Sequence, residues 1–244
     1  MELLFHRIYE VAELMAETLT SDWDIFEELD WESPNVSACL NSFSKTSLLG
    51  HFCFAHLAIY ERRRFRKDPE TVDIQGEQEA FRRYGIPCKP FKKFLRGFPQ
   101  VKDEQFALRP WMHDQEEAFE RLWERMTDEV SHLLFGNRGF LLNFNLGLAE
   151  FREQRGDSPS PRRAIPQWVK KAVYFRENGK CALCKKDLSG LIALDAKQHY
   201  DHIVSRNALG ANDPCNIQLL CERCNLLKGA SPARTSSVYD PWWK

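Results

Sequence analysis

Residues 199–229 read HYDHIVSRNALGANDPCNIQLLCERCNLLKG, and upstream residues 181–184 read CALC. Two Cys-x-x-Cys pairs, Cys181/Cys184 and Cys221/Cys224, are therefore separated by 36 residues. Each pair presents two thiolates to one ion, and two pairs complete a closed, tetrahedral zinc site. A disulfide reading fits poorly. The N-terminus, MELLFHRIYEVAEL, has no basic n-region, long apolar stretch or small-residue cleavage site, so the chain is expected to be cytoplasmic, with its thiols reduced. A redox pair needs a thioredoxin-like context and only one Cys-x-x-Cys. The four cysteines are thus expected to hold structural Zn²⁺. Cys39, Cys53, Cys88 and Cys215 lack such spacing and read as small buried apolar residues.

Around the knuckles the pattern predicts a short helix over 167–177, hairpin strands over 191–194 and 199–204, and a final helix over 219–227. So few elements bury little core, and zinc supplies the missing folding free energy. The residues between the knuckles carry chemistry. His202 suits a base near neutral pH. Asp201 offers a hard anionic oxygen and Asn225 a neutral one, a donor set for Mg²⁺ or Mn²⁺. His199, two residues before Asp201, shares its strand face. It reads as a solvated strand residue, with a metal or phosphate contact as the other option. Arg206 and Lys228 lie close enough in sequence to be phosphate contacts; most other basic residues here read as solvated charge.

The stretch IPQWVKKAVYFRENGKCALC followed by YDHIVSRNALGANDPCNIQLLCERCNLLKG resembles the HNH (His-Asn-His) endonucleases with zinc knuckles, over about Ile165 to Gly229. The resemblance implies a ββα-metal fold, with Asp201 and Asn225 as ligands of the catalytic ion. His202 is then the general base, and Asn216 braces the loop and orients the histidine. Ser205 stands where the family often has Pro, Gly210-Ala211 where it has Gly-Gly, and the last ligand is Asn rather than His.

The remainder of the chain has another texture. Its 244 residues carry 34 basic and 35 acidic side chains, a net of −1. The balance hides a split: residues 156–244 hold 14 Lys and Arg against 8 Asp and Glu, a net of +6, and residues 1–155 carry −7. Amphipathic stripes predict helices over 2–19, 47–67, 113–134 and about 140–155. The segment QRGDSPSPRRAIP reads as a linker. The fold class expected is α+β, divided into a helical domain 1–155, linker 156–164, HNH domain 165–230 and tail 231–244. The run Arg62–Lys67 reads as a solvated helix end, with DNA or anionic lipid as the sharper option. Trp242 and Trp243 end a tail expected to pack back on the body. No stretch reaches the ~18 apolar residues of a membrane span.

The function expected is metal-dependent hydrolysis of DNA, most simply duplex, in restriction or phage defence, with the helical domain choosing substrate or binding a regulatory protein. The competing readings are a toxin-type nuclease and a catalytically silent zinc module that binds nucleic acid or protein.

Overall fold

The computed structural model describes residues 4, 7–21, 23–31, 33–100, 103–190, 197–229 and 231–239. Its elements run α1 (Ile8–Ser21), α2 (Pro34–Asn41), α3 (Leu48–Lys67), α4 (Ile74–Arg83), α5 (Phe91–Leu95), α6 (Gln105–Asp114), α7 (Glu116–Phe135), α8 (Arg138–Gln154), α9 (Gln167–Arg176), β1 (Gln198–His202), β2 (Ile217–Cys221) and α10 (Glu222–Lys228). The architecture is α+β: helices, then a two-stranded sheet and a helix in the C-terminal part. The long helices fall where the stripes predict them. α7 buries Phe119, Leu122, Trp123, Met126, Val130 and Leu134, with Glu116 and Glu117 in its first turn, where the helix dipole favours acid. α2 and α4 escaped the periodicity because they are short. Local chemistry starts them instead: Pro34 opens α2, and the Asp73 side chain caps α4 by accepting the Gln75 N–H at 3.0 Å.

Contacts divide the chain into two compact units that differ from the composition-based division. One comprises residues 1–15 and 53–131, the other 16–52 and 132–244. The first unit centres on an aromatic cluster in which Phe81 and Trp111 meet the Phe119 ring edge-on at 4.9 and 5.3 Å. Beside it, Arg7 and Arg64 share the carboxylates of Glu61 and Glu77; Arg7 lies 3.0 and 2.9 Å from them, and Arg64 reaches Glu61 at 3.1 Å. Arg64 is thus buried inside the unit, unlike the solvated charge expected of its run.

The second unit joins helical segments to the zinc-knuckle region. Phe26, Phe52 and Phe144 form one cluster, with ring centroids 5.2–5.7 Å apart. Val169, Val173, Ala182, Leu188, Ile217, Leu219 and Leu220 form another under the sheet. The segment read as a linker is held within this unit: Ser160 is buried, and Arg152 binds Asp157, the Ser158 carbonyl and the Ser160 hydroxyl at 2.8–3.1 Å. The described part of the tail packs back, as expected. Arg138, 2% exposed, donates to the carbonyls of Ser236 and Val238 and to Glu177, and lies 3.7 Å over the Tyr239 ring. Trp242 and Trp243 lie outside the described residues.

This anchor gives a stability prediction. Arg138→Ala strips a guanidinium from a fully buried carboxylate, leaving Glu177 with Arg176 alone. Removing one partner of a buried pair costs about 3 kcal/mol or more. Denaturant unfolding should show that loss; an unchanged midpoint would show that the tail is not held by this residue.

Candidate functional site

The two knuckles converge. The Sγ atoms of Cys181, Cys184, Cys221 and Cys224 all lie within 4.8 Å of one another, and those of Cys184 and Cys221 are 3.7 Å apart. A tetrahedron with Zn–S bonds of ~2.3 Å has edges near 3.8 Å, so this group could hold a zinc ion. The local chain makes the cluster. Lys185, with φ 64°, turns the first knuckle back, so that the Cys181 N–H donates to the Lys186 carbonyl at 2.9 Å. The Ala182 N–H bonds the Leu219 carbonyl at 2.8 Å and ties that knuckle to β2. Of the remaining cysteines, Cys39, Cys53 and Cys215 are buried as expected, whereas Cys88 is half-buried.

The hairpin differs from the expected one. β1 pairs antiparallel with β2, placing Asp201 opposite Gln218 and His202 opposite Ile217. The expected strand 191–194 lies outside the described residues. The helix expected over 219–227 begins three residues later, because Leu219–Cys221 finish β2. The Cys221 Sγ then accepts the Cys224 N–H at 3.4 Å and caps α10. Strand end, cluster cysteine and cap coincide at one residue, which apolar periodicity alone does not reveal.

Asp201 meets α10. The Lys228 ammonium sits 2.9 Å from Asp201 Oδ2, with its side chain 1% exposed. Asn225 precedes Lys228 by three residues, so both lie on one face of α10. Lys228, expected to contact phosphate, is thereby turned inward onto a carboxylate. Arg206 donates to the Ser160 carbonyl at 3.3 Å. His199 shares the strand face of Asp201 and is half-buried; its Nε2 is buried with no hydrogen-bond partner among the described residues.

Asn216 spans the loop between the strands. Its Oδ1 accepts the Val204 N–H at 2.8 Å, and its Nδ2 donates to the carbonyls of Val204 and Ala211 at 2.9 and 3.0 Å. Three bonds from one buried amide hold the turn closed. Gly210 completes it: a Cβ there would lie 2.0 Å from the Val204 oxygen and 2.8 Å from Asn216 Nδ2. Gly210→Ala should therefore cost about 3 kcal/mol and open the brace. Thermal unfolding of this variant checks it, and wild-type stability would show that the loop yields freely. The departure at Ser205 fits the same loop. The Ser205 N–H donates to the Pro232 carbonyl at 2.7 Å, a bond that proline cannot make.

Sequence reasoning missed Asn212. It is fully buried, and its Nδ2 donates to the carbonyls of Asn41 and Pro161 at 3.2 and 2.8 Å. Both amide hydrogens are thus engaged, so the group 3.2 Å from His202 Nε2 is Oδ1, an acceptor. His202 Nε2 then donates to it, and in the neutral ring Nδ1 keeps its lone pair. Burial holds the imidazole below the usual histidine range, against the Asn212 hydrogen bond and the charge of Asp201. Burial thus favours the neutral ring, and in that form the Asn212 contact selects the Nε2–H tautomer. The next residue anchors the loop. Asp213, buried, accepts the Cys215 N–H at 2.9 Å and the Leu48 N–H at 2.7 Å, and burial raises its carboxyl above the usual range. The signal available was Asn-Asp-Pro, side chains that bond nearby backbone and make turns.

Residues 181–231 match the family model of the HNH endonucleases. The C-terminal part of the chain carries an HNH segment. No match was found among curated proteins or among solved structures. The HNH segment supports a nuclease-like or nucleic-acid-related function. No helix among the described residues is long and apolar enough to cross a membrane.

Proposed function

We propose that the chain is a metal-dependent endonuclease that hydrolyses phosphodiester bonds of DNA at the HNH segment. The observation that carries this reading is the Asn212–His202 pair: an acceptor with both its hydrogens engaged fixes which imidazole nitrogen is free. His202 Nδ1 takes the proton of the attacking water as its oxygen bonds phosphorus and the bond to the leaving oxygen breaks. Asp201 and Asn225 would hold Mg²⁺ or Mn²⁺, since their carboxylate and amide oxygens suit a hard cation. A cation bound there would supply stabilisation of the charge on the phosphate and on the leaving oxygen. Lys228 restrains the Asp201 carboxylate from the α10 side. Asn216 keeps the loop that presents the base. Zinc on the four cysteines is structural, because four thiolates leave no open position.

In this reading the division into 1–155, 156–164, 165–230 and 231–244 describes chemistry rather than packing. The helical part chooses substrate or binds a regulatory partner, and restriction or phage defence is the setting that suits such a nuclease. The test is nicking of supercoiled plasmid with Mg²⁺ or Mn²⁺ and an EDTA control. Metal-dependent nicking is expected. A zinc-loaded protein that binds DNA without ever cutting it would instead be a silent zinc module.

A further inference from the structure

The run Arg62–Lys67 resolves, in the first compact unit, into side chains with different tasks. Arg64 is spent inside, on Glu61 and Glu77. Arg62 pairs with Glu120 at 3.1 Å and lies 5.0 Å over the Trp123 ring. Arg63 and Arg66 stay exposed on the outer face of α3. There they line a hollow of ≈ 800 Å³ together with Arg109, Met112 and His113 from α6. Arg63, Arg66 and Arg109 have no acidic partner among the described residues. Among the described residues the one carboxylate lining the hollow, Glu116, already lies 3.8 Å from Arg62.

We infer that this hollow binds the phosphate backbone of a nucleic acid and is a second contact site for the substrate of the HNH segment, an inference that rests on the proposed function for the identity of the polymer. Three guanidinium groups crowded without counter-charge raise the free energy of the free protein through mutual repulsion. Phosphates relieve it, and each guanidinium fork matches two phosphate oxygens. Arg63 and Arg66 stand about one turn apart on α3, and Arg109 arrives from a second helix. The hollow thus draws its cations from two helices, and at about 800 Å³ it has room for more than one phosphate of a chain. Such contacts position a nucleic acid without reading its sequence.

The test uses the full-length, zinc-loaded protein carrying His202→Ala, so that bound DNA stays intact. Binding of a labelled duplex is followed by fluorescence anisotropy across a salt titration. Adding Arg63→Glu, Arg66→Glu and Arg109→Glu should weaken binding at least about 10-fold and lower the salt slope by about three, close to one per lost phosphate contact. The same three positions changed to Lys should keep most of the slope. All three side chains are exposed, so zinc content and helicity should not change. A reversed variant with the parent's affinity and slope overturns the inference. So does displacement of the duplex by ATP at micromolar concentration, which would mark a mononucleotide site. The plasmid assay is independent: loss of duplex binding on reversal in a protein that never nicks DNA would sustain the hollow and sink the nuclease reading.

Discussion

Removing the zinc, or one of its ligands, should unfold the C-terminal part of the chain. The apolar cluster under the sheet is small, and Cys181, Cys221 and Cys224 are themselves members of it. Structural zinc contributes about 10–16 kcal/mol of apparent binding free energy in small domains, about as large as the whole stability of an ordinary domain. Cys184→Ser should therefore yield protein that aggregates or loses the HNH fold rather than a slower enzyme. A thiol-selective chelator should do the same to the wild type. Elemental analysis of folded protein should return one zinc per chain. Less than half an equivalent in soluble, folded protein would remove zinc from the account.

The second large effect is on catalysis. His202→Ala should lower cleavage by about 10²–10⁴-fold, the usual worth of a general base, while zinc content stays at the wild-type level, because imidazole is not one of the four thiolates. Asn212→Ala should slow the reaction with little change in substrate affinity, since Asn212 acts through the tautomer of His202. ¹⁵N shifts of the His202 ring should show the proton no longer confined to Nε2. Asp201→Ala and Asn225→Ala should shift the metal titration to higher concentration, and extra Mn²⁺ should partly restore them. It should not restore His202→Ala, which lacks the base rather than a ligand. Full activity in Asn212→Ala would show that the histidine is oriented by something else.

The four-cysteine cluster was legible in the sequence because the spacing of two knuckles carries it, and the HNH segment was legible because Asp201-His202, Asn216 and Asn225 stand in register with those knuckles; the roles of those residues belong to the proposed function. The long helices were legible because α3, α7 and α8 repeat apolar residues over several turns. What escaped was tertiary. Asn212 reads as one more polar loop residue until the carbonyls of Asn41 and Pro161 are seen on its amide. Lys228 reads as a phosphate contact until α10 turns it onto Asp201. The segment 156–164 has linker composition, yet Arg152 and Asn212 bond Asp157, the Ser160 hydroxyl and the carbonyls of Ser158 and Pro161 within it. The charge run on α3 reads as one feature, and only packing separates the buried Arg64 from the exposed Arg63 and Arg66.

The most direct measurement is cleavage of supercoiled plasmid by wild type and His202→Ala side by side, across a Mg²⁺ titration and in EDTA, with zinc content determined for both proteins. Nicking by the wild type should require the divalent ion and vanish in EDTA, and His202→Ala protein should keep its full zinc with at least about 100-fold less activity. Wild-type nicking that persists in EDTA, or a His202→Ala protein as active as its parent, would contradict the assignment of the chemistry to Asp201 and His202.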